Sequence, residues 1–269
     1  MNRQPRWVKI REIRRAARLW LVAGLTVAAI VVIASQAPIP QPQSYHDFAD
    51  QRAFFGVPNF FNVLSNLPFL LIGLWGAVFV LRRAAPSESF ITPAERWPYL
   101  ILFLGVLLTC FGSGYYHLAP DNARLVWDRL PMTLGFMSLL AAVVAERIHL
   151  QLGLRTLAPL LALGLASVVQ WHWSEQRGEG DLRFYLMVQF FPLLAIPLLL
   201  ALLPPRYTLG SYFVIALGFY GLAKGFEFFD REIFALGGVV SGHTLKHLTA
   251  AAAIWWLVRM LKKRAPAIE

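Results

Sequence analysis

Cysteine and charged residues are both scarce in this sequence. The one cysteine, Cys110, lies inside an apolar run, which excludes an intrachain disulfide, a redox pair and a metal site built from thiolates. Charged residues make up 15% of the 269 residues, whereas 57% are hydrophobic, and the mean hydropathy is +0.54. A soluble domain of this length needs far less apolar material to form one core. The composition therefore predicts a membrane protein with several spans.

Acidic residues are the rarer of the two charge types, and their scarcity leaves a net charge of +10. Such a charge can indicate a nucleic-acid partner. Here, however, lysine and arginine occur in short tracts beside apolar segments, without stacking aromatics interleaved in a polar groove. We therefore expect the partner to be the lipid bilayer and not a nucleic acid. The sequence leaves the oligomeric state open.

Apolar windows of about 20 residues, the length that crosses roughly 30 Å of hydrocarbon, recur along the chain. Eight such windows lie at about 18–35, 62–81, 97–116, 130–148, 154–171, 184–203, 209–228 and 243–261. The connectors between them are short and contain helix breakers, which leaves no room for a second soluble domain. The sequence predicts an all-α polytopic membrane protein. Residues 1–44 would form a basic arm with one extra transmembrane helix, and residues 45–269 a seven-helix transmembrane bundle.

Lysine and arginine accumulate on the cytoplasmic side of membrane proteins, and their distribution here predicts the orientation of the chain. If both termini are cytoplasmic, the inner segments hold 17 basic residues and the outer segments hold 6. The first window also fits a signal peptide, with cleavage after Ala34 as the alternative to an uncleaved anchor. We favour the anchor because of its long basic flank, and either outcome leaves the same orientation for the other seven helices.

Polar residues gather at the outer ends of the predicted spans. An ionisable group inside a membrane costs several kcal/mol unless it is paired, hydrated or bound, so this clustering predicts a functional site. The residues are Asn62, Ser65 and Asn66 at the start of the second span, Ser113 and His117 at the end of the third, Asp128 before the fourth, Glu227 and Asp230 at the end of the seventh, and His243 and His247 at the start of the eighth.

Three of these residues are histidines with metal-ligand spacing. His243 and His247 are four residues apart, which places both imidazoles on one face of a helix, and His117 would arrive from another helix. Three protein ligands with one position left for water is typical of catalytic zinc, because structural zinc sites are usually closed by four. Ser113 could donate to a developing oxyanion, and Asp128 could orient or deprotonate the water.

Other interpretations of the same residues stay open at this point. A pair of histidines in a membrane helix can also bind haem, relay protons or lie at the interface. Asn62, Ser65 and Asn66 would either support the site from behind or hydrogen-bond neighbouring helices. Glu227 is expected to pair with Lys224 at i, i+3, with a contact to a substrate headgroup as the alternative. It is also a candidate for supporting the histidines from behind. Lys246 is expected to extend toward the outer surface.

Three stretches in this order resemble the alkaline ceramidase family. They are "FFNVLSNLPF" at 60–69, the group of Ser113, His117 and Asp128, and "GHTLKH" at 242–247. The resemblance covers residues 45–261, and the wider superfamily includes the progestin and adipoQ receptors. Family members are seven-helix membrane amidases that use zinc and water to cleave ceramide into a sphingoid base and a fatty acid.

The resemblance implies roles for individual residues. His117, His243 and His247 would bind zinc, Asp128 would hold the nucleophilic water, and Ser113 would support the oxyanion. The expected function is a zinc-dependent amidohydrolase that cleaves ceramide, or a similar N-acyl lipid, into a long-chain amine base and a fatty acid. The basic arm and short loops resemble bacterial members, which implies a bacterial inner membrane, an outward-facing site and a substrate that need not be a sphingolipid.

Two rival functions and one further metal stay open beside this expectation. A receptor-like protein could hold zinc structurally without turnover, and a haem-binding redox protein could use the histidines as axial ligands. Eukaryotic members of the family also bind calcium through an acidic segment before the first core helix. That segment keeps Asp47 and Asp50 here but has Asn59 where the family has a glutamate, so calcium binding is doubtful.

Overall fold

The structure, a computed structural model, describes residues 6–82 and 89–267. This part of the chain is helical, with isolated β-bridges such as that between Phe54 and Val57 and no strand. Its α-helices are α1 (Arg6–Ala34), α2 (Phe60–Leu64), α3 (Leu67–Arg82), α4 (Arg96–Leu118), α5 (Asn122–Arg147), α6 (Leu150–Gln176), α7 (Arg183–Leu202), α8 (Ser211–Phe228), α9 (Asp230–Ala235) and α10 (Gly242–Lys263). The prediction of an all-α protein is confirmed.

Six helical segments are long and apolar enough to cross a membrane. They are Glu12–Ala34, Phe60–Arg82, Pro93–Leu118, Asn122–Arg147, Leu150–Gln176 and Arg183–Leu202, and each contains most or all of one predicted window. The last two predicted windows lie in α8 and α10, which do not meet the same measure of length and hydropathy. Both helices contain charged or imidazole side chains, such as Lys224 in α8 and His247 in α10, which lower their hydropathy.

Helix α1 lies at the edge of the molecule and packs mainly against α7. None of the residues in its most apolar stretch is buried, so this face is available to lipid. Arg183, at the start of α7, donates hydrogen bonds to the carbonyl oxygens of Ala34 and Gln36, which fixes the end of α1. The extra helix is thus attached to the bundle without contributing to its interior.

Two glycines allow the close helix approaches that build the polar end of the bundle. A Cβ atom at Gly112 of α4 would lie 2.0 Å from the carbonyl oxygen of Trp127 in α5, so a side chain there would push the two helices apart. A Cβ atom at Gly242 would lie 2.2 Å from the carbonyl oxygen of Phe226 in α8. The first contact brings Ser113 beside Asp128, and the second fixes the start of α10 against α8.

The opposite end of the bundle is closed by a buried ionic network. Arg264 is 1% exposed and donates hydrogen bonds to Glu146 Oε1 at 2.5 Å and to the hydroxyl of Tyr99 at 3.2 Å. It also donates to the carbonyl oxygen of Ser89. This network ties the segment after α10 to α4 and α5, and so holds α10 in register with the helix that carries His117.

Candidate metal centre

The three predicted histidines meet in the interior. His117, His243 and His247 are 1%, 3% and 4% exposed, and they offer ring nitrogens that all lie within 4.8 Å of one another. His117 Nε2 and His243 Nε2 are 3.3 Å apart. Because His117 comes from α4 and the other two from α10, the cluster depends on the packing of helices distant in sequence. The three side chains are close enough to hold one metal ion.

The first turn of α10 is held in place by two hydrogen-bonding side chains. Ser241 is the N-cap, and its Oγ accepts from the backbone N–H of Thr244 at 3.1 Å. Asp230 Oδ1 accepts from the backbone N–H of His243 at 2.7 Å, and its Oδ2 accepts from that of Ala49 at 2.9 Å. Capping satisfies N–H groups that have no partner within the helix. Asp230 thereby links the His243 backbone to the connector before α2, a role that the sequence did not indicate.

Ser65 supports His247 from behind. The Ser65 hydroxyl lies 2.8 Å from His247 Nδ1 and donates to the carbonyl oxygen of Asn62 at 3.1 Å. If His247 Nδ1 carries the proton, it donates to Ser65 and leaves Nε2 free as a metal ligand. Asn62 donates to the carbonyl oxygen of Asp50 and its Oδ1 accepts from Thr244, so it joins α2 to α10.

Asn66 has different hydrogen-bond partners from Asn62 and Ser65. Its Nδ2 donates to the carbonyl oxygen of Asn62 at 2.8 Å, which is a contact within the irregular turn between α2 and α3. No described hydrogen bond joins Asn66 to a histidine. The structure therefore places Ser65 against the histidine cluster, Asn62 behind Ser65, and Asn66 in the backbone turn.

Ser65→Ala should weaken zinc binding about 10- to 100-fold, because outer hydrogen-bond partners of metal ligands typically contribute this much. The measurement is a competition titration of the purified protein with a zinc chelator. Ser167→Ala is the matched control, since Ser167 is also buried and its described hydrogen bond goes to Gly164 of its own helix. Equal zinc affinity in the Ser65 and Ser167 variants would show that Ser65 does not support the metal ligands.

Ser113 and Asp128 lie together beside the histidines. Asp128 is 8% exposed and is hydrogen-bonded by Ser113, and both residues line the same cavity as His247. An ionised Asp128 could accept a proton from a water held at this point. The Ser113 hydroxyl, one helical turn before His117, could donate to an oxygen that gains negative charge. All five residues of the predicted site therefore converge.

The cavity continues from this polar end into an apolar interior. Its volume is about 140 Å³, and its walls come from α3, α4, α5, α7, α8 and α10. Along α4 it extends from Ser113 to Leu102, which at 1.5 Å per residue is about 16 Å. Its apolar lining includes Val106, Met132, Phe136, Ile196 and Leu257. A single hydrocarbon chain would be the natural occupant of such a space.

Glu227 has a different environment from the one that its predicted supporting role required. It does not contact the histidines in the described hydrogen bonds, but accepts from Lys224, from Lys246 at 2.5 Å and from the Tyr45 hydroxyl at 3.3 Å. The predicted pair of Lys224 and Glu227 is present. The expectation that Lys246 extends to the surface was wrong, because its side chain is 16% exposed and turns toward α8 to meet Glu227.

Phe48 covers the histidine cluster from the connector before α2. Its ring is 4% exposed, with its centroid 4.7 Å from that of His117 and 4.3 Å from that of His243. Nearby, Asn59 donates to the carbonyl oxygen of His117 at 2.9 Å. An aromatic residue in an apolar chain gives no signal of such a position, so Phe48 could not be singled out from the sequence.

The acidic segment proposed for calcium is already bound by arginines. Asp50 accepts from Arg52 at 2.8 Å through each carboxylate oxygen, and Asp47 pairs with Arg231 at 2.5 Å. Burial raises the pKa of the Asp50 carboxyl, but hydrogen bonds from Arg52 outweigh it and leave that pKa below its usual value. Calcium needs six to eight oxygen ligands, and two carboxylates neutralised by guanidinium groups do not fit that need.

Calcium should therefore not raise the melting temperature of the protein, because only a ligand that binds the native state stabilises it. The measurement is a thermal unfolding curve in detergent with a calcium chelator and with excess calcium. Zinc added to metal-stripped protein serves as the positive control. A calcium-dependent rise in Tm that disappears in Asp50→Asn would contradict this expectation.

Comparison with known proteins gives no assignment, since no family model and no curated protein matches this chain. The function must therefore be inferred from the geometry of the site itself.

Proposed function

We propose that this protein is a zinc-dependent membrane amidohydrolase. It would cleave the amide of ceramide, or of a similar N-acyl lipid, and release a long-chain amine base and a fatty acid. The observation that carries this proposal is the junction of three buried histidines, Ser113 and Asp128 with the polar end of an apolar cavity. A lipid amide has the matching shape, namely a polar reacting group attached to a hydrocarbon chain.

The histidine geometry is compatible with zinc. Tetrahedral zinc with Zn–N bonds of about 2.0–2.1 Å separates two ligand nitrogens by about 3.3 Å. His117 Nε2 and His243 Nε2 are 3.3 Å apart, and His247 can offer Nε2 while Ser65 holds Nδ1. A bound zinc ion supplies a Lewis acid and lowers the pKa of its water from about 15.7 to about 7. Three protein ligands favour a catalytic site over a structural one.

The remaining roles belong to side chains at the cavity mouth. Asp128 would accept the proton of the attacking water and return it to the amine nitrogen that leaves. Ser113 would donate its hydrogen bond to the carbonyl oxygen as negative charge develops there. The apolar walls would hold the acyl chain and exclude bulk water, which strengthens both interactions.

We also propose how many helices cross the membrane and on which side the termini lie. We count α8 and α10 as spans because both are packed against α3, α7 or each other and carry apolar stretches around their polar residues. The bundle then has the seven helices of the alkaline ceramidase family that the motifs resemble, and α1 is an addition to them. Both termini would be cytoplasmic, the metal centre would face the outer side, and the membrane would be a bacterial inner membrane.

Two rivals make different predictions. A receptor-like protein with structural zinc would release no fatty acid from any lipid amide. A haem protein that uses the histidines as axial ligands would show a Soret band. The deciding experiment is mass spectrometry of lipid amides incubated with purified protein of known zinc content.

A further inference from the structure

Two lysines line the cavity at the end where a substrate would react. Lys224 of α8 and Lys246 of α10 both border it, next to His247, Asp128 and Ser113. Glu227, the carboxylate that both lysines bind, is not among the residues that line the cavity. Both lysines therefore border the cavity, whereas the carboxylate that their ammonium groups share does not.

Among the residues that line the cavity, basic side chains outnumber acidic ones, since Lys224 and Lys246 stand against Asp128. Glu227 is a single carboxylate for two lysines. The nearby Arg129 is 5% exposed and donates through Nη2 to the neutral amide of Gln41, while its Nη1 has no hydrogen-bond partner among the residues that the structure describes. Its other neighbours are aromatic rings, including that of Trp171 at 4.2 Å from the guanidinium carbon.

Glu175 accepts hydrogen bonds from the Trp171 indole N–H and the Gln41 backbone N–H, so a carboxylate also lies on the side of Arg129. The excess of positive charge is therefore at the cavity wall, which two lysines and the one carboxylate of Asp128 line. Our proposed function uses Asp128 to hold a water and places a divalent cation nearby, which increases the excess of positive charge. Uncompensated charge away from water is costly. An anionic group on the ligand would compensate it.

We propose that the lipid amide cleaved here carries an acidic group on its amine side, so that the substrate class is the N-acyl amino acid. This inference rests on the proposed hydrolase function for its reaction, but its binding part is independent of turnover. The acyl chain occupies the apolar cavity, the amide lies beside Ser113 and Asp128, and the carboxylate meets Lys224 and Lys246. Charge-assisted hydrogen bonds of this kind are about twice as strong as neutral ones.

The reaction is a simple hydrolysis. The oxygen of water forms a bond to the acyl carbon, the C–N bond breaks, and a water proton passes to the departing nitrogen. A fatty acid and a free amino acid result, and nothing is oxidised or reduced.

Hydrolysis of a matched pair of amides tests whether the substrate is an N-acyl amino acid. N-lauroylglycine and N-lauroylethanolamine share the chain and the amide, and differ in a carboxylate against a hydroxymethyl group. We expect wild-type kcat/KM to favour the glycine compound by about tenfold or more. Lys224→Met should remove this preference and Lys224→Arg should keep it. Lys263→Met, an exposed lysine at the other end of the bundle, is the control for general surface charge.

Binding of two uncleavable ethers separates this inference from the proposed function. Dodecyloxyacetate and dodecyloxyethanol are titrated against the zinc-loaded protein in phosphatidylcholine nanodiscs. The acid should bind about tenfold more tightly in wild type, Lys224→Arg and Lys263→Met, but not in Lys224→Met. Unchanged zinc content in Lys224→Met shows that the variant is folded.

The outcomes lead to different conclusions. If no amide is cleaved but the acid ether is still preferred, the hydrolase proposal fails and the anion preference stands. If the neutral ether binds wild type as tightly as the acid, or if Lys224→Met keeps the preference, the acidic substrate class is overturned.

Discussion

His243→Ala and His247→Ala should each yield a protein without stoichiometric zinc and without measurable release of fatty acid from a lipid amide. Each change removes one of three ligand nitrogens that lie within 4.8 Å of one another. A metal ion contributes several kcal/mol to such a reaction, so loss of the ion lowers the rate by about 10³-fold or more. Metal content by mass spectrometry and fatty-acid release are measured on the same preparations.

His149→Ala is the matched control for these variants. His149 is exposed at the start of α6 and its side chain makes no described cap hydrogen bond. The variant should keep full zinc content and full activity. Equal loss of zinc in His149→Ala, or undiminished turnover in His247→Ala, would mean that the histidine cluster does not hold a catalytic metal.

Asp128→Asn should lower kcat by about 10²- to 10⁴-fold, the usual contribution of general acid–base catalysis. The amide has nearly the same shape as the carboxylate but cannot accept the proton of the attacking water. Because Asp128 is hydrogen-bonded by Ser113 and is not one of the three metal-binding side chains, zinc content should stay unchanged. The measurement is kcat and KM with metal analysis in parallel.

Asp121→Asn provides a comparison at the same end of α5. Asp121 caps that helix by accepting from the backbone N–H of Arg124 at 2.7 Å, and asparagine caps a helix equally well. This variant should retain wild-type kcat. A normal kcat in Asp128→Asn as well would remove Asp128 from the mechanism, whereas loss of zinc would make it a structural residue.

Much of the architecture could be predicted because a bilayer imposes strong rules on a sequence. Spans must be about 20 apolar residues long, so the windows are visible in the sequence, and each of them lies almost entirely within described helices. The histidines could be identified because polar groups in such spans are costly unless they are paired, hydrated or bound to a ligand. The i, i+4 spacing by itself places His243 and His247 on one face of a helix.

The parts that could not be predicted depend on which helices pack together. Lys246 was expected to reach the surface, but α8 packs against α10 and offers Glu227 as a closer partner. For the same reason Glu227 is an ion-pair partner of two lysines and not a support for the histidines. Phe48 and Asp230 act on the metal centre through contacts between distant segments. No local pattern in the sequence encodes such contacts.

We propose that the three histidines hold a zinc ion on which amide hydrolysis depends. The most direct measurement is fatty-acid release by one preparation that is assayed as purified, after removal of metal by a chelator, and after reconstitution with one equivalent of zinc. We predict that release is lost on stripping and restored by zinc in wild type, but not in His247→Ala. Undiminished release by the metal-free protein, or no release by the fully reconstituted protein from any lipid amide, would contradict the claim.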